Sequence, residues 1–185
     1  GWSNLLWQPM GVTPVKYLEQ WDVFEGDVIA AHCVQVDPPD IEILRKYDVG
    51  IAHCPRSNAK LGTGIAPLPS YLNDNLRLGL GTDSLASSNT MDFFDEMRIG
   101  LLLQRGAEKS VERLYAERFI SMATLGGAKV LRLEDKIGSL EKGKEADVIA
   151  VDLSHSHQMP VRDPYSALVY TANQEDVIFT MVAGK

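Results

Sequence analysis

The sequence predicts an α/β fold built on a parallel sheet, and three observations lead there. Short apolar runs alternate with amphipathic stretches in the order strand, helix, strand. Three of those runs end in a residue that chemistry can use: VIAAHC at His32, VGIAHCPRSN at His53 and LGLGTDS at Asp83. Their spacing, 21 and then 30 positions, matches successive β/α units. All three side chains are therefore expected on one rim of the sheet, the rim on which β/α barrels carry catalysis.

Thr13 before Pro14 is a helix start, and VKYLEQW continues it with apolar residues on one side. DVIAAHC is a near-continuous apolar strand, as expected where helices and neighbouring strands cover both faces. PPDIEILRKY carries Ile41, Leu44 and Tyr47 at helical spacing, and VGIAHC repeats the buried strand. Pro55, directly after Cys54, is expected to force an extended loop. IAPLPSYLND then predicts a short helix, NLRLGLGTD a third strand and MDFFDEMRIGLLLQR a long amphipathic helix. Ser110 is expected to cap VERLYAERFISMAT, with the helical run closing through GGAKVLRL. After Asp135 the texture becomes β-rich, with turn glycines at Gly138 and Gly143 and the strongest strand between Ala146 and Leu153. EDVIFTMVAGK reads as a strand running to a hairpin turn at Gly184 with no second strand to complete it, which leaves an open edge. The expected organisation is a β/α unit over residues 1–136 and a β-rich unit over 137–185.

With 185 residues, 45% hydrophobic and 23% charged, the chain can bury one sizeable core or one domain with an appendage. A net charge of −7 argues against a nucleic-acid surface, which needs an excess of Lys and Arg. No apolar run approaches 18 residues and no basic-then-apolar leader is visible, so no membrane association is expected. Two cysteines at strand ends fit a reducing compartment, and a cytoplasmic location is the expectation.

Neighbouring strand residues point to opposite faces, so His32 with Cys33, or His53 with Cys54, cannot aim at one ligand from a regular strand. A zinc site of the two HC pairs is disfavoured, as are sites needing a CxxC pair, which the chain lacks. Asp83, beyond a Gly-Leu-Gly-Thr strand end, could ligate a divalent metal and take a proton from metal-bound water. The competing reading is a capping aspartate, since TDSLASSNT is rich in capping residues. His32 could orient or deprotonate the same water, or be a strand-end histidine satisfied by a backbone carbonyl. His53 occupies the equivalent place one strand later. GTGIAP resembles the start of a dinucleotide fingerprint, but Pro67 replaces the third glycine and no strand leads directly into it, so a turn is expected. His155-Ser156-His157 has metal-ligand spacing, yet no partner carboxylate converges on it in the sequence, and it is read as a surface pair.

The runs AAHCVQVD, IAHCPRSNAKLGTGIAP, LGLGTDSLASSNTMDFFDEMR, ATLGGAKVL and IGSLEKGKEADVIAVDL together resemble the amidohydrolase superfamily. The similar branch is that of chlorohydrolases and adenosine-type deaminases, including methylthioadenosine/S-adenosylhomocysteine deaminases. The resemblance implies a metal-dependent-hydrolase β/α (TIM-type) barrel with a small β-sandwich. It implies one divalent metal, zinc or sometimes iron. Asp83 matches the family's metal-ligating, proton-accepting aspartate, and His32 the histidine that contacts the attacking water or the substrate. His53 and Asn58 match the HCPxSN run lining the substrate cleft. His155 and His157 fall in a sandwich segment that often reads PHxxP. The family's HxH and His-x-x-Glu ligand runs have no counterpart, so the chain resembles a C-terminal part of such an enzyme, about the last three β/α units and an incomplete sandwich.

The implied function is hydrolytic deamination of a purine-like small molecule, with displacement of halide from a triazine-like ring as the alternative. The expected partner is a second copy of the chain or a complementary N-terminal polypeptide. Two other classes compete: a doubly wound nucleotide-binding module, which GTGIAP fails to support, and a non-catalytic fragment needing a complementary chain.

Overall fold

The computed structural model describes residues 11–112 and 114–185. The runs that end at His32, His53 and Asp83 form β1 (Ile29–Ala31), β2 (Gly50–His53) and β3 (Arg77–Leu80). They pair in parallel in the order β1–β2–β3, with Ala30 opposite Ile51 and Ile51 opposite Leu78. Among the described residues β1 and β3 each pair on one side only. Ile51, Leu78 and Leu80 share one buried face and centre the core with Leu44, Leu68, Tyr71, Leu101 and Phe119.

Proline and capping signals set most of the helices. α1 (Pro14–Glu19) is capped by Thr13, whose hydroxyl accepts from Lys16 N–H and donates to the buried Asp40 carboxylate. α2 (Pro38–Lys46) starts with a reciprocal capping box between Asp37 and Asp40. Pro55 does not force the extended loop expected of it but opens a helix, α3 (Pro55–Lys60). Its fixed φ and missing N–H suit the first helical position, and Cys54 before it is kept out of the helical region, with φ −121° and ψ 68°. α4 (Leu68–Asn73) and the short α5 (Leu85–Ser88) flank β3 in the chain. α6 (Phe93–Glu108) is capped by the Asp92 carboxylate, which accepts from Phe94 N–H at 2.9 Å.

The next helix departs from the sequence reading. Ser110 Oγ accepts from Glu112 N–H at 3.2 Å and makes only a turn, whereas α7 (Ala116–Ser121) begins six residues beyond Ser110. Tyr115, just before α7, is extended, and the carbonyl of buried Leu114 accepts two hydrogen bonds from Arg105, at 3.0 and 2.8 Å. α7 runs on through a π-helical turn, Met122–Gly126, into α8 (Gly127–Val130). That turn lies against β3 so closely that a Cβ on Gly126 would stand 2.4 Å from Leu78 O, and one on Gly79 2.9 Å from Gly127 Cα.

The β-rich part holds β4 (Val148–Val151) and β5 (Val177–Met181), paired antiparallel. EDVIFTM thus pairs not across a hairpin at Gly184 but with β4, far upstream in the chain. Gly184 N–H extends that pairing by donating to Ala146 O at 3.2 Å, and Val182 and Lys185 close a turn through mutual backbone bonds at 3.0 Å. Between the two strands lies a helix the sequence reading missed, α9 (Pro164–Tyr170), although Asp163-Pro164 is a good helix start. α9 carries Val169 and, just beyond, Ala172 into the main core, and Arg98 of α6 donates to the carbonyls of Tyr170 and Ala172. No helix among the described residues is long and apolar enough to cross a membrane.

Candidate active site

The parallel sheet brings His32, His53 and Asp83 to one rim, at the carboxyl ends of β1, β2 and β3. His32 and Asp83 leave their strands through left-handed backbone, with φ of 68° and 57°. Such conformations cost a non-glycine residue on the order of 1 kcal/mol or more and cluster at functional sites. Cys33 is also left-handed, so the alternation rule that kept it away from His32 does not govern this corner. Burial, with some help from Asp40 and Cys54, pushes the Cys33 thiol up to about 11. The Cys54 thiol is raised similarly, to about 11, mainly by burial.

α3 organises the rim. Asn58 Oδ1 lies 2.9 Å from His32 Nδ1, and Ser57 Oγ donates to Asp83 Oδ2 at 2.6 Å. Arg56 N–H, one residue earlier, donates at 2.9 Å to Oε1 of Glu96 on α6, which anchors the start of the helix. Ser84 N–H gives Asp83 Oδ1 a second bond at 2.7 Å. The Ser57 hydroxyl first, then Ser84 N–H and nearby His32, hold the Asp83 carboxyl below the usual carboxylate range despite some desolvation.

A carbonyl oxygen only accepts, so facing Asn58 Oδ1 puts the proton of neutral His32 on Nδ1 and leaves a lone pair on Nε2. That lone pair stands 3.8 Å from Asp83 Oδ2. Two acceptors facing each other need a proton donor or a cation between them. The spacing suits a water, or a metal with bonds of about 2.0–2.2 Å to oxygen and nitrogen donors. Asp83 and His32, partly exposed, thus fit a divalent metal or its bound water; the other ligands of a closed coordination sphere are not supplied by these two groups.

His53 and Asn58, expected to line the substrate cleft, are each 2% exposed. Asn58 reaches the rim through His32. His53 shares the buried face of Ile51, with Pro55 and Gln104 near its ring and neither ring nitrogen hydrogen-bonded. Burial and then the neighbouring His32 push its pKa down to about 4, so it is neutral at pH 7.

Two residues of the site escaped the sequence reading. Ser57 lies inside the HCPRSN run, but its contact with Asp83 depends on α3 being helical. Glu96 lies among the apolar residues of α6, fully buried with Oε2 unpartnered, and burial raises its carboxyl against the pull of Arg56. An acid on an apolar helix stripe was the available signal. The His155-Ser156-His157 pair also needs correction: a carboxylate does converge on it, that of Asp176 at the entry to β5.

Known proteins place this geometry in context. The chain is 46% identical over 175 residues to a 5-methylthioadenosine/S-adenosylhomocysteine deaminase of Pelotomaculum thermopropionicum, covering 95% of this chain and 40% of that protein. It is 43% identical to the protein of that name from Desulforudis audaxviator, again over 40% of the relative's length. Among solved structures, a zinc-bound adenosine deaminase from Xanthomonas campestris superposes with a TM-score of 0.93 at 34% identity, covering 99% of this chain and 42% of that one. A zinc-complexed atrazine chlorohydrolase from Arthrobacter aurescens gives a TM-score of 0.90 at 29% identity, covering 98% and 40%. The chain thus spans about 40% of the length of the curated relatives it matches. The amidohydrolase family model matches residues 10–185, which include every rim residue and both sheets, and the chain belongs to that family.

Proposed function

We propose that this chain carries one side of the active site of a metal-dependent hydrolase that deaminates a purine-like substrate. The observation that carries the reading is the face-to-face placement of His32 Nε2 and Asp83 Oδ2, 3.8 Å apart, each fixed from behind by an α3 side chain. A divalent metal, zinc by the precedent of the structural relatives, would supply a water acidified to react near neutral pH. Asp83 would hold that metal, accept the proton of the water and carry it toward the departing amino group. His32 would hold the attacking oxygen through Nε2 with its own proton kept on Nδ1 by Asn58. On this reading Asn58 and Ser57 are positioning residues, and His53 is a neutral wall behind them.

The three parallel strands read as part of a TIM-type barrel and the β4–β5 pair as part of a sandwich, with the division near residue 136. The one-sided pairing of β1 and β3 supports a sheet that continues in segments outside this chain, and the activity is assigned to that larger protein, or to this chain with a second polypeptide. A cytoplasmic location belongs to the same reading. Displacement of chloride from a triazine-like ring is the second reading, favoured by the chlorohydrolase superposition.

The test is release of ammonia by the full-length, zinc-loaded protein from adenosine, S-adenosylhomocysteine and 5-methylthioadenosine, with chloride release from a chlorotriazine in parallel. Ammonia from at least one purine, abolished by Asp83→Asn, is expected. Chloride alone selects the second reading, and neither product from a zinc-loaded folded protein refutes both.

A further inference from the structure

The two β-rich strands bring together three side chains that the rim does not use. His155 and His157 lie on either side of Ser156 in the segment after β4, at a single 3-10 turn (Ser156–Gln158). Asp176 ends a second such turn, Gln174–Asp176, that leads into β5. Antiparallel pairing joins the two places, with Asp152 N–H donating to Asp176 O at 2.8 Å. Asp176 Oδ1 lies 2.9 Å from His155 Nδ1, and Asp176 Oδ2 lies 3.4 Å from His157 Nε2. One ligand atom from each residue stands within 4.8 Å of the other two. The carboxylate is 2% exposed, whereas the imidazoles are 49% and 47% exposed.

Ligand atoms around a tetrahedral ion with bonds of about 2.0–2.2 Å stand about 3.3–3.6 Å apart. The His157-to-carboxylate separation of 3.4 Å falls within that spacing, and the His155 one, a hydrogen bond at 2.9 Å, reaches it when the ring moves out by about 0.4 Å. The gap between the histidines closes by rotation of rings that face solvent, while the carboxylate they close upon stays fixed.

Two further features set this cluster apart from a chance surface contact. The first is a second carboxylate behind His155: Asp152 Oδ2 is 3.6 Å from Nε2, and Asp152 Oδ1 accepts from Ser154 N–H at 2.8 Å. A histidine that binds a metal through one nitrogen and turns the other toward a carboxylate is oriented and made more basic by it. The second is the rigidity of the frame. Buried Gln158 accepts from His155 N–H and donates to Asp152 O, each at 3.1 Å, and Asn173 N–H donates to Asp176 Oδ2 at 2.9 Å. Two imidazoles with one carboxylate suit zinc and its late first-row neighbours and are poor for magnesium or calcium.

We propose that His155, His157 and Asp176 bind one divalent cation of the zinc class, with solvent completing its coordination and Asp152 positioning His155. Bound there, the ion ties the segment after β4 to the start of β5 and holds the strand pair closed.

The test titrates Zn²⁺ into the full chain and its variants by equilibrium dialysis against a chelator, with thermal midpoints in parallel. Asp83→Asn removes the ligand of the rim, so one zinc is expected to bind that variant with unchanged affinity and to raise its midpoint. His155→Ala with His157→Ala in the Asp83→Asn background should weaken binding about 100-fold or more and remove the midpoint shift. Asp152→Asn in the same background should weaken it about 10- to 100-fold, the range for a group that orients a metal-binding histidine. Magnesium should shift nothing. The chain has four histidines, so imidazole NMR supplies a readout that needs no alanine variant: stoichiometric zinc must move the His155 and His157 ring signals in the Asp83→Asn chain. Unaltered affinity in the double-alanine variant, no zinc uptake by Asp83→Asn, or ring shifts confined to His32 and His53 would each overturn the proposal.

Discussion

Two histidine–carboxylate clusters lie in different regions of this molecule, and they differ in how far the carboxylate is open to solvent. At the rim of the parallel sheet the Asp83 side chain is 25% exposed and faces His32, itself 40% exposed, while His53 at the end of β2 is buried. Beside the antiparallel pair the carboxylate of Asp176 is sealed and both histidines are open. The rim therefore offers a ligand both the Asp83 oxygen and His32 Nε2. The other cluster meets one through two nitrogens steadied by a buried anion. Donor types alone do not distinguish the sites; which donor the fold leaves in water does.

The comparison is broken most directly at the two aspartates. On the function proposed above, Asp83→Asn in the full-length protein is expected to lower kcat on the order of a thousandfold, since the amide keeps the shape but loses the charge and the proton-accepting group assigned to it. His155→Ala with His157→Ala should leave kcat within about twofold. A measured kcat near wild type for Asp83→Asn, or a collapse with the histidine pair, would exchange the roles assigned to the two regions.

The sealed histidine gives the next largest effect. Because burial holds His53 near 4 when folded against about 6.5 unfolded, the folded state binds fewer protons in that window. Its contribution is therefore complete above pH 6.5 and is lost as pH falls toward 4, by about 3 kcal/mol at about 1.4 kcal/mol per unit. His53→Leu should flatten this part of the stability profile in denaturant titrations at stepped pH. Equal acid losses in the two proteins would mean that the ring is hydrated or paired, and the contrast of a sealed and an open histidine pair would fail.

How much of each region could be read from the sequence follows from how its contacts are made. The rim was legible because a parallel sheet places consecutive strand ends side by side, so His32, His53 and Asp83 needed only the strand assignments. What stands behind them was less so: Ser57 and Asn58 take their partners only when Pro55 opens a helix, and the same dipeptide reads equally well as a loop. Glu96 reaches Arg56 across 40 residues of sequence, a contact no local pattern encodes. The second cluster was illegible because Asp176 joins His155 only through the pairing of β4 with β5. With EDVIFTM read as running to an incomplete hairpin rather than as the partner of β4, no carboxylate could be expected there. α9 was missed for a similar reason, since its burial is set by α6 and α7 rather than by its own seven residues.

Packing behind the two sheets should differ as their active groups do. Gly126→Ala would drive a Cβ to 2.4 Å from the backbone oxygen of Leu78, so β3 or the π-helical turn must move, at a cost of about 1–3 kcal/mol. Gly184→Ala meets only Ala146 Cβ at 4.0 Å and carries the strain of a φ of +76°, about 1 kcal/mol. Urea midpoints should rank the two in that order. The reverse order would show the β4–β5 end to be the tighter-packed one.

The smallest effect separates how the two carboxylates are held. Asp83 takes a hydrogen bond from the side chain of Ser57, which mutation can delete, whereas Asp176 takes one from the backbone of Asn173, which mutation cannot. Burial works to raise the Asp176 carboxyl, and the Asn173 N–H with the two histidines more than offsets it. Ser57→Ala should cost about 1 kcal/mol at pH 7, the net worth of one hydrogen bond, and let the Asp83 carboxyl rise toward its ordinary range. A depressed carboxyl adds stability that is present above its unfolded value and lost as pH falls through the folded one, so the variant should also lose less stability on acidification. Asn173→Ala gives up its cap on Glu175 N–H but keeps its own N–H, and Asp176 should titrate as before. Carboxyl-carbon NMR titrations of the two variants read this difference directly: a shift at Asp83 without one at Asp176 is expected, and equal shifts would show that Asp176 depends on the Asn173 side chain as Asp83 does on Ser57.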